Sequence, residues 1–360
     1  MLFATELINK TPVERLVRLW SKRYTADLST LSSQTSNFES VELVETASPE
    51  GRTKTIAKLK RLVEIHCKCA GIQTSALFSY IPNIINVWES QRIAELAGQV
   101  YDQTLDVYKE QSPPPALLAE MSQTGTVNYS THADRWWTIP GLELSTLKQL
   151  TKVLETSYKD LRSQYLSVKD SRAIGFMSTQ FHLSSRLLIN RLTAPEQLLL
   201  SPYFKFVEEQ VCIPWQRVCA AATKHELNSP ALALVEQLLP VSTEIAKNVH
   251  SEAVRLNPNY RSLRGELDSP EVRASSIRDI EMFQGYLWLC VLEENMSSVE
   301  QELLPLCKLV FPTVNVSWKL VKQLLPLLAI EIQSRVEPKQ MRLLLPYTTA
   351  MQKLFTESEG

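Results

Sequence analysis

Two leucines followed by a proline recur through the last third of the chain, and no other feature restricts the backbone as much. The phrase stands at Leu303, Leu304 and Pro305, at Leu324, Leu325 and Pro326, and at Leu344, Leu345 and Pro346, with an earlier copy at Leu238, Leu239 and Pro240. Three of the copies follow a matching valine and glutamine: Val235 with Gln237, Val299 with Gln301, and Val321 with Gln323. A proline has no N–H for the helix ladder and its ring crowds the preceding turn, so each copy must start a helix or kink one. The region is therefore expected to be a set of short or bent helices with apolar faces.

Helical punctuation extends through the rest of the chain. Thr11, Pro12 and Glu14 supply a capping hydroxyl, a proline for the first turn and a carboxylate three residues on, ahead of Val13, Leu16, Val17 and Trp20 on one face. Thr193, Pro195 and Glu196 repeat that signal, and Ser229 with Pro230 and Ser269 with Pro270 open helices in the same manner. Apolar residues three and four apart follow: Ile56, Leu59, Leu62, Val63, His66 and Cys69, then Ile93, Leu96, Val100, Leu105 and Tyr108, then Leu147, Leu150, Leu154, Tyr158, Leu161 and Tyr165. No pair of alternating runs is joined by an Asn-Gly or Asp-Gly turn. The expected class is all-α, a multi-helix bundle with no sheet. The last three proline phrases are 21 and then 20 residues apart, which makes a HEAT- or armadillo-like repeat the alternative in the C-terminal third. Against it, the preceding gap is 65 residues and the first part of the chain lacks that rhythm.

Composition divides the chain further. Residues 1–24 are expected to form an N-terminal helix, 25–52 a polar flexible linker, 53–122 a helical subdomain and 123–141 an aromatic-rich loop. A helical bundle over 142–260 and the proline-bent helices of 261–360 complete it. The linker is rich in Ser, Thr and Glu, too polar to offset the entropy of ordering, with Phe38, Val41 and Leu43 as a docking patch.

Several chemistries are disfavoured. Only 9 glycines occur in 360 residues, and no two lie within five residues of each other. That spacing excludes the Gly-rich dinucleotide fingerprint, the phosphate loop and the nucleophile elbow. There is no His-Glu-x-x-His or Glu-x-x-His pair for a metal, and no cofactor is expected. The 38 basic and 39 acidic residues nearly cancel, so no global field attracts nucleic acid or an anionic membrane. Glu6 and Lys10 interrupt any signal-like apolar stretch, and the longest apolar run, 324–330, falls far below the roughly 18 residues of a membrane span. A cytoplasmic, soluble protein is expected. His66, Cys67 and Cys69, with Cys212 and Cys219, are the nearest approach to a metal set, but a closed zinc site needs four convergent ligands, and buried thiols are the simpler account. No catalytic residue is assigned.

Two clusters are candidates for binding a protein partner. Arg52, Lys54, Lys58, Lys60 and Arg61 gather at what the periodicity marks as a helix start; a solvated face is the simpler account, but the helix dipole opposes cations there, which mildly favours a role beyond stability. Tyr129, His132, Arg135, Trp136 and Trp137 crowd one loop, and Trp, Tyr and Arg are the usual anchors of interfaces. The expected function is a non-catalytic helical scaffold or adaptor that binds another protein through the aromatic loop, the basic helix start or the proline-bent C-terminal helices. The alternative is a helical ligand- or cofactor-binding protein or enzyme whose apolar inter-helix pocket uses His66, His182 or Arg135. Nucleic acid has only the basic cluster in its favour.

Overall fold

Caps and prolines written in the sequence set where the rods begin. A computed structural model describes residues 11–27, 37–79, 85–111, 126–128, 138–140, 142–161 and 172–358. The fold is all-α and multi-helical. Helix α1 (Pro12–Ser21) is followed by strands β1 (Thr25–Asp27) and β2 (Asn37–Glu39), then by α2 (Ser40–Ala47), α3 (Pro49–Lys60), α4 (Val63–Leu77) and α5 (Val87–Glu110). Strands β3 (Thr126–Asn128) and β4 (Thr138–Pro140) precede α6 (Leu144–Leu161), α7 (Arg172–Ile189) and α8 (Ala194–Cys212). Next come α9 (Trp215–Ala222), α10 (Pro230–Leu238), α11 (Ser242–Leu256), and the short strands β5 (Arg261–Ser262) and β6 (Gly265–Glu266). Helices α12 (Pro270–Glu293), α13 (Leu304–Thr313), α14 (Trp318–Gln333) and α15 (Pro338–Glu357) end the chain. No helix among the described residues is long and apolar enough to cross a membrane.

The strands differ from the expectation of no sheet, although each ribbon has only two strands. β1 pairs antiparallel with β4, β2 with β3, and β5 with β6. The first two ribbons join stretches far apart in sequence, Thr25 opposite Pro140 and Phe38 opposite Val127, which local patterning does not reveal. Part of the stretch expected as a flexible linker is also helical. Ser48 caps α3 by accepting a hydrogen bond from the Gly51 N–H, with Pro49 in the first turn, and Leu43 of α2 is fully buried while Val41 is exposed.

The chain divides into two units, Tyr24–Val211 and the described part of Met1–Arg23 with Cys212–Gly360. In the first, α4 packs between α5 and α7. Gly71 allows that approach, since a Cβ there would lie 3.2 Å from the Ala94 side chain and 3.4 Å from Gln180 Oε1. Gln180, fully buried, donates from Nε2 to the Cys67 carbonyl at 2.8 Å and so ties α7 to α4.

In the second unit α1 packs on α9 and α10, and its Trp20 stacks on Trp215 with ring centres 4.1 Å apart and meets Trp288 of α12 edge-on at 5.9 Å. Burying one such indole removes about 150–250 Å² from water, worth roughly 4–6 kcal/mol, so the tryptophans outweigh any single cap. Arg23 lies against this cluster with its guanidinium 3.9 Å from the Trp20 ring. It forms a buried ion pair with Glu281 at 2.8 Å and donates to Ser242 Oγ at 2.9 Å, while Thr243 donates to Glu281 at 2.5 Å.

The four proline phrases take three kinds of place. Pro240 lies in a 3₁₀ turn, Leu239–Val241, between α10 and α11. Pro326 and Pro346 lie inside α14 and α15, and both are exposed, so the carbonyls left without a donor face water. Pro305 follows a π-helical turn, Val299–Leu303, that runs into α13. Four residues separate valine from proline at 235–240 and 321–326, whereas five do at 299–305 because of Glu302. The π turn absorbs the extra residue: the Leu304 N–H bonds back five residues to the Val299 carbonyl, and Val299 and Leu303 both remain buried.

Near β5 and β6, a small core of Ala253, Leu267, Val272 and Leu320 is closed by Tyr260, whose hydroxyl accepts from the Ser317 N–H at 2.7 Å and donates to the Asn315 carbonyl at 3.1 Å. His250, one turn before Ala253 on α11, is buried with Nδ1 3.0 Å from Ser276 Oγ. Burial, with the charge of Arg273, pushes its pKa down to about 4.

Two outcomes are expected. Arg23→Ala strands Glu281 in the core and lowers the unfolding free energy by about 3–5 kcal/mol in urea titration; Glu281→Ala costs a similar amount, and the double variant costs less than the sum. Between pH 6.5 and 4, only unfolded chains protonate position 250. Stability therefore falls with pH across that window, by up to about 3 kcal/mol, and His250→Gln flattens the dependence seen in unfolding midpoints.

Candidate functional site

Helix α4 is apolar on two faces, and only one of them is buried. Val63, His66, Cys67, Ala70, Gly71 and Thr74 are buried against its neighbours. On the opposite side Ile65, Cys69, Ile72 and Ala76 are exposed at spacings of four, three and four, with Ile65 at 58% and Ile72 at 71%. That spacing is the seam along which one helix packs on another. Glu64 and Lys68 pair with each other at 2.5 Å beside the stripe, which leaves its edge polar but electrically balanced. At the start of α5, Trp88 is 80% exposed after Val87, and the turn that carries it is fixed by a reciprocal cap between Asn86 and Glu89, with both bonds at 2.9 Å. Single exposed apolar residues are ordinary, but four on one helical seam form a continuous exposed apolar surface.

The phase of α4 corrects one sequence expectation. Continuous periodicity from Ile56 placed His66 and Cys69 on one face and Cys67 off it. Arg61 and Leu62 interrupt the helix, which restarts at Val63, so His66 and Cys67 point inward while Cys69 points to solvent. Both ring nitrogens of His66 are engaged. Nδ1 is 3.0 Å from the Leu62 carbonyl, which makes it the donor, and Nε2 accepts from Arg191 Nε at 3.2 Å. Burial pushes the Cys67 and Cys219 thiols up to about 12, away from the thiolate that metal binding or nucleophilic attack requires. No group of three His, Cys, Asp or Glu side chains among the described residues is placed to hold a metal.

The basic cluster is dispersed. Arg52 is 3% exposed, in contrast with its expected place on a charged surface. Its Nε donates to the Ala47 carbonyl at 3.2 Å and its Nη1 to the Tyr108 carbonyl at 2.7 Å, with the guanidinium 4.5 Å from the Tyr108 ring. Those carbonyls end α2 and lie in the last turn of α5, where helix dipoles are negative. Helix α3 begins at Pro49, four residues before the periodicity suggested, so Lys58 and Lys60 sit in its last turn, where the dipole favours them. Lys58 pairs with Glu196 at 2.7 Å and Lys60 with Asp106 at 2.6 Å. Burial raises the Glu196 pKa, but hydrogen bonds from Lys58, Thr193 and Thr55 outweigh it and hold the carboxyl below its ordinary range. Lys54 and Arg61 are exposed and form no ion pair among the described residues.

Tyr129, His132, Arg135, Trp136 and Trp137 lie outside the described residues. His182 of α7 has Nδ1 3.1 Å from Glu208 Oε2. The sequence signal for the stripe on α4 is the alternation of Ile65 and Ile72 with the buried set. No protein family, curated protein or solved structure matches the chain.

Arg52→Met removes the donor to two helix ends and is expected to cost about 2–4 kcal/mol of unfolding free energy. Lys54→Ala and Arg61→Ala should each stay within about 0.5 kcal/mol in the same urea titration.

Proposed function

We propose that the chain is a non-catalytic helical scaffold that binds another protein through the outer face of α4, against which a helix of the partner packs. The observation that carries this is the exposed seam of Ile65, Cys69, Ile72 and Ala76 on a helix whose other face is fixed between α5 and α7. Burying an isoleucine contributes about 1.5–3 kcal/mol, and two of them with flanking small residues give a groove that a partner's larger side chains can enter. The balanced charge beside the seam favours an apolar, weakly charged partner helix over nucleic acid, which is held mainly by cations on phosphate.

Affinity capture from native extract with the wild-type chain and with Ile72→Glu tests this. Wild type is expected to recover a stoichiometric protein that Ile72→Glu loses by tenfold or more, about 1.4 kcal/mol, while both unfold at the same urea concentration. Cys69 gives an independent reading, since its alkylation by iodoacetamide should slow in the recovered complex. Equal recovery by both proteins, with Cys69 labelled as fast in the complex as alone, overturns the proposal.

A further inference from the structure

Helices α14 and α15 present a second surface of different chemistry, within the unit that holds the C-terminal residues. They form an antiparallel pair joined by the short turn at 334–337. Both ends are pinned. Trp318 Nε1 donates to the Phe355 carbonyl at 3.1 Å and the Ser358 carbonyl at 2.9 Å, and its ring stacks on Phe355 at 5.4 Å. At the turn, Arg335 pairs with Glu244 and Glu331, each at 2.9 Å, and its carbonyl accepts from Gln237 at 2.7 Å. A hairpin held at both ends offers a rigid face, so a partner loses little to reorganisation.

The inner positions of the pair, among them Leu325, Leu328, Ile332, Leu344, Met351 and Phe355, are buried. Outward lie Lys319, Pro326 and Ile330 of α14 with Lys339, Arg342, Leu345 and Pro346 of α15, all exposed, and Lys322, half-buried. Ile330 is 64% exposed and Leu345 41%. Lys319, Lys322, Lys339 and Arg342 form no ion pair among the described residues, in contrast with Arg15, Arg23, Arg217, Arg255, Arg278 and Arg335 of the same unit. Of the three carboxylates in 318–358, Glu331 pairs with Arg335 and Glu357 with Lys353 at 3.8 Å, while Glu337, at the N-cap of α15, makes no cap bond. Lys319 and Arg342 stand near opposite ends of the pair, and the α14 stripe from Lys319 to Ile330 runs about 16 Å at 1.5 Å per residue. Cations thus flank a centre of Pro326, Ile330, Leu345 and Pro346.

We infer that this face docks an acidic amphipathic polypeptide segment, carboxylates on the flanking cations and apolar side chains on the central strip. Charge complementarity selects the sign of the partner. The prolines select its class. Pro326 and Pro346 withdraw the N–H groups that would bond the Lys322 and Arg342 carbonyls, so acceptors lie among the cations. A lipid surface would desolvate those acceptors without a donor, and a phosphate backbone, though drawn by the cations, would leave the apolar centre unused. A polypeptide brings donors, carboxylates and apolar side chains together. The inference concerns a surface separate from the α4 seam and stands without it.

The test uses the full chain and a fluorescein-labelled synthetic helix of glutamate and leucine, read by fluorescence anisotropy over a salt series. Lysine–leucine peptide, single- and double-stranded oligonucleotides, and vesicles with and without phosphatidylserine are the comparison probes. The glutamate–leucine peptide is expected to bind, more weakly as salt rises, and Lys319→Glu with Arg342→Glu should weaken it at least tenfold. Ile330→Ser with Leu345→Ser should weaken it severalfold with the salt slope unchanged, and Ile72→Glu should leave it unaltered. All of these positions are exposed, so circular dichroism and urea midpoints should match wild type. Absence of peptide binding, binding indifferent to both double variants, or oligonucleotides or vesicles binding in its place with the same sensitivity to Lys319→Glu and Arg342→Glu overturns the inference.

Discussion

Each unit of this protein holds an arginine in its interior, and the way each charge is matched governs which helices lie beside it. An unmatched buried ion costs several kcal/mol even after relaxation. Arg23 is matched by a carboxylate, Glu281, and its flat face by the Trp20 ring, so α1 is held against α11 and α12 at the point where Ser242 and Thr243 complete the network. Arg52 has no carboxylate partner among the described residues. Two helix ends replace it, each carrying roughly half a negative charge, and together they approach the one charge that must be balanced. The solution has a geometric consequence: α2 and α5 must bring their C-terminal turns to the same guanidinium, which fixes how the helix formed by residues 40–47 docks.

The all-α class was legible because helix signals are local. The box at Thr11 and Glu14 forms with both bonds, at 3.1 and 3.3 Å, and the prolines at 49, 230, 270 and 338 occupy first turns. What escaped notice depends on contacts between distant residues. The ribbons of β1 with β4 and β2 with β3 join segments too short to show alternation, and each strand is defined only by its partner. Arg52 looked like one more surface cation because its burial depends on where α2 and α5 end. The phase of α4 escapes the sequence for a different reason: with apolar residues on both faces, periodicity alone cannot say which face is inside.

The proline phrases show how similar local sequences are assigned different structure by their surroundings. A proline inside a helix is tolerable when the freed carbonyl reaches water, and Pro326 and Pro346 meet that condition by lying on the outward face while Leu325 and Leu344 pack inward. Near Pro305 one additional residue would rotate every following side chain by about 100°. Widening a single turn to the π form cancels that rotation and keeps Val299, Leu303, Leu306 and Cys307 in the core. The residue so accommodated, Glu302, turns to the surface and pairs with Arg217 of α9. A shared phrase thus needs no shared repeat unit, since a 3₁₀ turn, a π turn and two helix interiors serve it.

On α4, folding and exposure are divided between opposite sides of one helix. Its inner side supplies the stabilising contacts: Gly71 gives close approach, Gln180 bonds the Cys67 carbonyl, and Val63, Cys67 and Ala70 are nearly or fully buried. The outer side contributes almost nothing to that packing, so its apolar character is not explained by the stability of the unit. At about 25 cal/mol per Å² the exposed isoleucines leave a few kcal/mol of hydrophobic free energy unrealised. That quantity is small against the folding terms of the unit and large against the association of two helices, and a chain whose core is secured from one side can keep the other side of the same rod available at no cost to its fold.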